Sequence, residues 1–425
     1  MRYGLQAWGT EGDIRPFIEL AKALKANGHD VRLVIINIQN ANYCNEAKHY
    51  GLDIVHVPVV HNQTHAEYFD ANFDINVMGE RRAEVLLNYS YNFHVSSIYE
   101  AANKLCESSD IIVRHFVDYA AQAAAELHGI PEVALIVCQR GLPLSSEPSE
   151  IISFKIPNVF LWLNQLHWFW TRLVLNKRLL PPVNDFRKQL GLDPKSDFLK
   201  TVWVSEYLSL VAVSKAICPP QECWGNSVSV VGPLFKACAE VAELDQSLVA
   251  FIDRGRKILF FTIGSFMPKV KGDALSQRVW MFSEAARQSG YDAIIQTPVI
   301  DDERFPKGEH VHFVIYAPYA QIFPHCEAVV HHGGAGTLHI VCASGVPSII
   351  IPFIEEQYYW FKCLERLGVA GGAVRDKDVN METLITEIRR LESMPEIKRN
   401  AQRLAANMVD DDGLSRAVEA LEACN

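Results

Sequence analysis

Short apolar runs alternate with helix-period segments along most of the chain. Arg2–Trp8 reads as a strand, and Gly9–Asp13 as a glycine-rich turn. Pro16–Asn27 then places Phe17, Ile18, Leu20, Ala21, Ala23 and Leu24 at helical spacing, with Gly28 as its stop and Asp30–Ile36 as the next strand. The alternation continues through a helix at Asn40–Tyr50, strands at Leu52–Val57 and Asp110–His115, a helix at Glu80–Ser108 and another at Asp118–His128, and strands at Glu132–Val137, Leu208–Val213 and Ser227–Val231. Residues 58–79 are polar and irregular, and a loop of that length is often a binding element. Gly232-Pro233 marks an exit, after which the pattern restarts: strand Lys257–Ile263, helix Asp273–Ser289, and strands Asp292–Gln296 and His310–Tyr316. Three helical segments close the chain, Met381–Leu391, Glu396–Met408 and Gly413–Cys424.

The most informative stretch is Val329–Pro352, VVHHGGAGTLHIVCASGVPSIIIP. A short apolar run ending at His331 reads as a buried parallel strand. It breaks into Gly333, Gly334 and Gly336, continues as a helix at Thr337–Ser344, stops at Gly345 and returns as a strand at Ser348–Ile351. Strand, turn, helix, strand is a crossover unit of a parallel sheet. Glycines there let a ligand approach the backbone closely, and the helix end offers free N–H groups and partial positive charge, which suit a phosphate. His332 and Thr337 flank the turn and can add side-chain donors. A glycine turn alone is weak evidence; Glu356 and Gln357, just past the next strand, strengthen it by bringing an acid and an amide to the same strand ends.

HHGGAGT followed by GVPSIIIPFIEEQYYW resembles the donor-binding signature of the inverting nucleotide-sugar glycosyltransferases, which include bacterial antibiotic and rhamnolipid enzymes, and the wording around Pro324-His325-Cys326 and Ala328-Val329-Val330 is nearest to the sterol and bacterial branches. GTEGDIRPFIELAKALKANGHDV resembles the opening of the same enzymes. The resemblance implies an α/β chain of the GT-B arrangement, with two doubly wound Rossmann-like domains facing across a cleft. Residues 1–233 would bind the acceptor, 234–256 would link, 257–408 would bind the donor, and 409–425 would return to the first domain. It also implies roles. Asp13 would be the base that deprotonates the acceptor hydroxyl, since an alcohol attacks only as its proton leaves. Thr10 and Gly12 would touch the donor phosphate from the same loop. Gly264, Ser265, His332, Gly333, Gly334, Ala335, Gly336 and Thr337 would hold the diphosphate, Tyr316 would stack on the base, and Glu356 with Gln357 would grip sugar hydroxyls.

Departures matter. Plant relatives place His where Asp13 stands, and an ordinary Asp is a weak base, so burial or the charge of Glu11 is expected to strengthen it. The plainer role for Asp13 is capping the following helix. Glu356 replaces the usual Asp, and Ile340 stands where plant enzymes carry a ribose-binding Glu. His115, at a strand end, is a secondary catalytic candidate, although a His there is more often structural.

Composition narrows the class. With 425 residues, two or three domains are expected. A net charge of −10 argues against a nucleic-acid partner. The ten Cys are scattered with no zinc-site spacing, and Met1 leads straight into a strand pattern instead of a signal peptide, so free thiols in the cytoplasm are expected. No metal and no cofactor is implied, the nucleotide sugar being a substrate. Ile156–Leu175 is the greasiest segment, but Asn158, Asn164, Gln165, His167 and Arg172 interrupt it as a membrane span. Within it, Phe160, Trp162 and Trp168 read either as core or as a wall for a lipophilic acceptor, with a peripheral membrane contact as a further expectation; Pro181-Pro182 should end its helix. Two alternatives stand beside sugar transfer: a nucleotide-sugar epimerase of the same architecture, and a non-catalytic homologue acting as a binding partner.

Overall fold

In the computed structural model, residues 1–73, 79–144, 146–152, 154, 156, 160–235, 244–264 and 273–424 are described. The apolar runs become strands of two all-parallel sheets, each in its own compact unit: Met1–Phe235 with Asp412–Asn425, and Lys236–Asp411.

The first unit is built on β1 (Arg2–Gly9), β2 (Asp30–Asn37), β3 (Asp53–His56), β4 (Ile111–His115), β5 (Glu132–Ile136), β6 (Leu208–Val211) and β7 (Val228–Val230), in the order β3-β2-β1-β4-β5-β6-β7. Successive side chains on a strand face opposite ways. Tyr3, Leu5 and Ala7 accordingly enter one core with Phe17, Ile18 and Leu24 of the helix Glu11–Ala26. On the other face Val34, Ile36 and Ile112 meet the alanines of Tyr119–His128 and Trp168, Leu175 and Leu179 of the long helix Leu161–Gln189. The last helix, Gly413–Glu422, buries Leu414, Ala417, Val418 and Leu421 in the first of these cores. Its first residue fits only as glycine, because a Cβ there would lie 2.4 Å from Pro233 O and 2.5 Å from Gly232 O. Gly413→Ala should therefore cost about 1–3 kcal/mol, the usual range for overpacking. Thermal melts would read this as a lowered midpoint; an unchanged midpoint would show that the helix is not seated this tightly.

The second unit carries β8 (Ile258–Thr262), β9 (Asp292–Gln296), β10 (Val311–Val314), β11 (Ala328–His331), β12 (Ser348–Ile350) and β13 (Ala370–Ala373), in the order β10-β9-β8-β11-β12-β13. Leu259 and Phe261 face Val279 and Phe282 of the helix Asp273–Gln288, while Phe260 and Val329 face Ile322, Phe323 and Val341.

Several expected elements differ. Within residues 58–79, Gln63–Asn72 is helical, with Asn62 Oδ1 accepting His65 N–H at 2.9 Å as its cap. The single helix expected over 80–108 breaks at Tyr91 into Glu80–Ser90, a short 3-10 turn at Asn92–His94, and Val95–Cys106. Tyr91 is fully buried, its hydroxyl donating to Asp118 Oδ1 at 2.6 Å, and that anchorage wins over helix continuity. Pro181 and Pro182 do not end the long helix, which runs on to Gln189. Leu179, Leu180, Val183 and Phe186 are buried on either side of them, so packing outweighs the lost backbone hydrogen bonds. β13, sequence AGGA, has no strand-like composition and forms by pairing with β12.

Candidate active site

In an open parallel sheet, ligands bind at the strand carboxyl ends, where neighbouring crossovers leave in opposite directions. Each unit has one such point. In the first it lies between β1 and β4, since β2 and β3 continue on one side and β5 to β7 on the other. In the second it lies between β8 and β11. Those four strand ends carry Asp13, His115, Gly264 and His332.

At the first point β1 ends at Gly9, whose φ of 127° and whose approach to Asp13 both demand glycine: a Cβ there would lie 2.3 Å from Asp13 Oδ2. Thr10 donates to that same Oδ2 from its backbone N–H at 2.8 Å and from its hydroxyl at 3.0 Å. Asp13 thus does cap the helix Glu11–Ala26. Capping uses one oxygen; the other, Oδ1, lies 3.7 Å from His115 Nε2. His115 closes β4, is only 1% exposed, and neither ring nitrogen has a hydrogen-bond partner among the described residues. Trp8, Phe17 and Phe116 surround its ring. Asp13 remains about a quarter exposed, so the carboxylate is the member of the pair open to a substrate. The structure corrects the expectation for Glu11. Its carboxylate is ion-paired with Arg15 and accepts the Tyr43 hydroxyl at 2.6 Å, so its charge is compensated locally. Gly12 is exposed in the first turn of the helix.

At the second point Thr262 of β8 sits opposite His331 of β11 in register, which brings Gly264 and His332 together. The His332 imidazole is wedged between two glycines: a Cβ on Gly264 would lie 2.3 Å from its Cε1, and one on Gly334 would lie 2.3 Å from its Nε2. Gly264 and Gly333 also hold positive φ, 55° and 83°. Burial pushes the His332 ring down to about 4, so it is neutral at pH 7. The helix Ala335–Ala343 starts immediately after, and its first backbone bond is Leu338 N–H to Gly334 O at 2.9 Å. The N–H groups of Ala335, Gly336 and Thr337 precede that bond and point out of the helix end. Gly336 is exposed, and among the described residues no packing neighbour lies within 4 Å of where a Cβ would be.

Gln357 is brought to this turn: its backbone O lies 3.1 Å from the Cβ position of Gly333. Its side-chain Oε1 accepts Phe353 N–H at 2.7 Å, which fixes the amide. Glu356 is half-buried and accepts the Trp360 indole N–H at 3.2 Å. Tyr316 follows β10 with a ring that is 76% exposed. Ser265 lies outside the described residues. Of the aromatic trio on the first unit, Phe160 and Trp162 are exposed, whereas Trp168 is a core residue whose indole donates to Glu147 O at 2.9 Å. The last cannot form a wall without leaving that core.

Sequence reading missed two supports of the second point. His331 is fully buried; its Nδ1 accepts Gly333 N–H at 3.2 Å, which leaves the proton on Nε2 for Ser348 Oγ at 3.0 Å. Strand alternation turns this ring to the face opposite His332. Thr262 Oγ1 accepts Gly264 N–H at 2.9 Å and donates to Gln296 Oε1 at 2.7 Å, where the hydroxyl of the half-buried Tyr319 also arrives at 2.6 Å. The available signals were the doubled His and a Thr two residues ahead of a glycine turn.

Comparison with known proteins places this geometry in context. Residues 300–423 match the erythromycin biosynthesis protein CIII-like, C-terminal domain family. A sterol 3-beta-glucosyltransferase of Arabidopsis thaliana is 25% identical, covering 97% of this chain and 66% of that protein. The chain therefore spans just under two thirds of that relative's length. An uncharacterized glycosyltransferase of Mycobacterium tuberculosis is 26% identical over 96% of this chain and 95% of its own. Among solved structures, the calicheamicin glycosyltransferase CalG4 superposes with a TM-score of 0.69 at 18% identity, covering 100% of this chain and 98% of that one. The glycosyltransferase VinC, solved in complex with dTDP, gives 0.62 at 19% identity, covering 100% and 99%.

Proposed function

Given that the chain belongs to the GT-B glycosyltransferase superfamily, we propose that it moves a hexose from a nucleotide-diphosphate sugar to a hydroxyl of a lipophilic small molecule, with inversion at the anomeric carbon. UDP-glucose is the favoured donor, with dTDP-sugars next. The observation that carries this reading is His332 held between Gly264 and Gly334 beside an open helix N-terminus. Neutral N–H donors and a helix end are suited to oxygens on which negative charge grows as a diphosphate leaves.

The acceptor hydroxyl loses its proton to Asp13 as its oxygen bonds to the anomeric carbon. The bond from that carbon to the diphosphate oxygen breaks, and its electron pair stays with the nucleotide. One displacement from the opposite face turns the centre over. His332, Thr337 and the amides of the glycine turn stabilise the departing diphosphate, and Ser265 is assigned to the same task. Thr10 and Gly12 are assigned to the donor phosphate and Gln357 and Glu356 to sugar hydroxyls, and the exposed Tyr316 ring offers a stacking face to the base. The reading uses no cofactor. Phe160 and Trp162 are the exposed aromatic groups that favour an apolar acceptor. Among the described residues no helix is long and apolar enough to cross a membrane.

The direct test incubates the chain with several UDP- and dTDP-sugars against a panel of apolar alcohols, sterols included. The expected result is a glycoside of inverted configuration with at least one pair. Free epimerised sugar nucleotide in the absence of acceptor would favour the epimerase instead, and tight donor binding with no product on any acceptor would favour a binding role.

A further inference from the structure

Three histidines that take no part in the proposed transfer converge in the first unit. His61 precedes the helix Gln63–Asn72, His65 lies in its first turn, and His94 ends the 3-10 turn Asn92–His94. One ring nitrogen from each lies within 4.8 Å of the other two. We propose that His61, His65 and His94 form a binding site for a zinc-class divalent metal ion, which clamps the helix Gln63–Asn72 to the segment ending at His94.

Spacing is the first support. His94 Nε2 and His61 Nδ1 are 3.4 Å apart. That is long for a nitrogen–nitrogen hydrogen bond. It matches the edge of a tetrahedron around zinc, since bonds of 2.0–2.1 Å place neighbouring nitrogens about 3.3 Å apart. Ring support is the second. His61 stacks flat on Tyr89, with centroids 3.9 Å apart and planes 5° apart. His65 stacks on Phe93 at 4.4 Å and 9°. The two more accessible ligands are thus held by aromatic rings flanking the third, His94, which is itself buried. Among the described residues, the hydrogen bond on the His65 ring is Asn62 N–H to Nδ1 at 3.5 Å, loose enough to be given up.

Ligand type decides the metal. An all-imidazole set suits zinc, copper or nickel, and not magnesium or calcium, which want oxygen. Three ligands leave a fourth position for water. The clamp also has a route to the Asp13 region within its own unit. Tyr91, three residues before His94, packs edge-on against Trp8, and the Trp8 ring lies against His115.

This site does not depend on the proposed sugar transfer, and its test needs no sugar. The full chain, stripped with a chelator and desalted, is titrated with zinc chloride by calorimetry, and separately with cobalt(II) followed by visible absorption. The parent should show one tight site, a tetrahedral cobalt band and a melting temperature raised by zinc. The double variant His61→Asn/His65→Asn should bind at least tenfold more weakly and lose both the band and the melting shift. Should the double variant not fold by circular dichroism, His65→Gln alone carries the same comparison. Equal stoichiometry and affinity in parent and variant, or no zinc bound by the parent, would overturn the proposal.

Discussion

Asp13→Asn is expected to lower turnover about 10²- to 10⁴-fold, the usual contribution of a positioned general base, while donor diphosphate binding stays as in the parent. The substitution isolates the charge. Asn retains an oxygen that can accept the Thr10 N–H and hydroxyl now bound to Asp13 Oδ2, so the start of the helix Glu11–Ala26 should keep its cap and the melting temperature should hold. What is lost is the ability to take a proton at Oδ1, the oxygen left over from capping. Steady-state rates across the pH range, with donor affinity measured by calorimetry on the same samples, read the two effects separately. Undiminished turnover would remove Asp13 from its role and pass it to His115, whose ring nitrogens have no hydrogen-bond partner among the described residues. His115→Gln should cost less than Asp13→Asn, because the imidazole is sealed behind the carboxylate and acts through it.

Much of this was legible in the chain because the relevant signals are local. Gly9 through Ala26 reads as turn and helix since the glycine, the cap and the apolar spacing lie within a few residues of one another, although the helix starts at Glu11, inside the stretch that reads as turn. The strand ending at His331 and the glycine turn after it read for the same reason, although the helix starts at Ala335, two residues before the Thr337 that the pattern suggests. What did not read is pairing between distant segments. Nothing near Gly264 says that His332 will fill the space above it; that follows from β8 lying beside β11. The passage of a helix through Pro181 and Pro182 was hidden because local propensity opposes it and only burial of Leu180, Val183 and Phe186 explains it. β13 was hidden because two glycines carry no strand signal and its neighbour supplies the order. The histidine trio was missed on the same grounds. His61 and His65 are four residues apart, but His94 joins them only because the helix Gln63–Asn72 packs back, and a polar, irregular pattern over 58–79 gives no reason to expect it. Trp168 and Phe160 show the limit from the other side. Both are aromatic on one apolar stretch, yet only the fold separates the core ring from the exposed one.

His332→Ala should weaken binding of the donor's nucleoside diphosphate about 10- to 100-fold. A hydrogen bond to a charged oxygen contributes about 1.5–3 kcal/mol, and each 1.4 kcal/mol is tenfold. The ring is also the spacer between Gly264 and Gly334, so its removal leaves the two turns without the side chain that sets their separation. His332→Gln separates the two causes: an amide restores a neutral donor and part of the volume, and should recover much of the affinity. Acid supplies a further reading. Burial holds the folded ring at about 4, against about 6.5 for a free imidazole. The unfolded chain therefore takes up protons first as pH falls, and the stability that neutral His332 contributes is complete above about 6.5 and lost as pH drops toward 4. The deeper His331, at about 3, adds a loss of the same sign that extends lower. A bound diphosphate acts in the opposite direction. Its negative charge favours the protonated ring and raises that pKa, so binding should draw a proton from buffer below neutral pH, and affinity should rise on mild acidification before the fold gives way. Calorimetry in buffers of different ionisation enthalpy measures that proton directly. Uptake in the parent that disappears in His332→Ala places the diphosphate against this ring, whereas equal uptake and equal affinity in both would put the anion elsewhere.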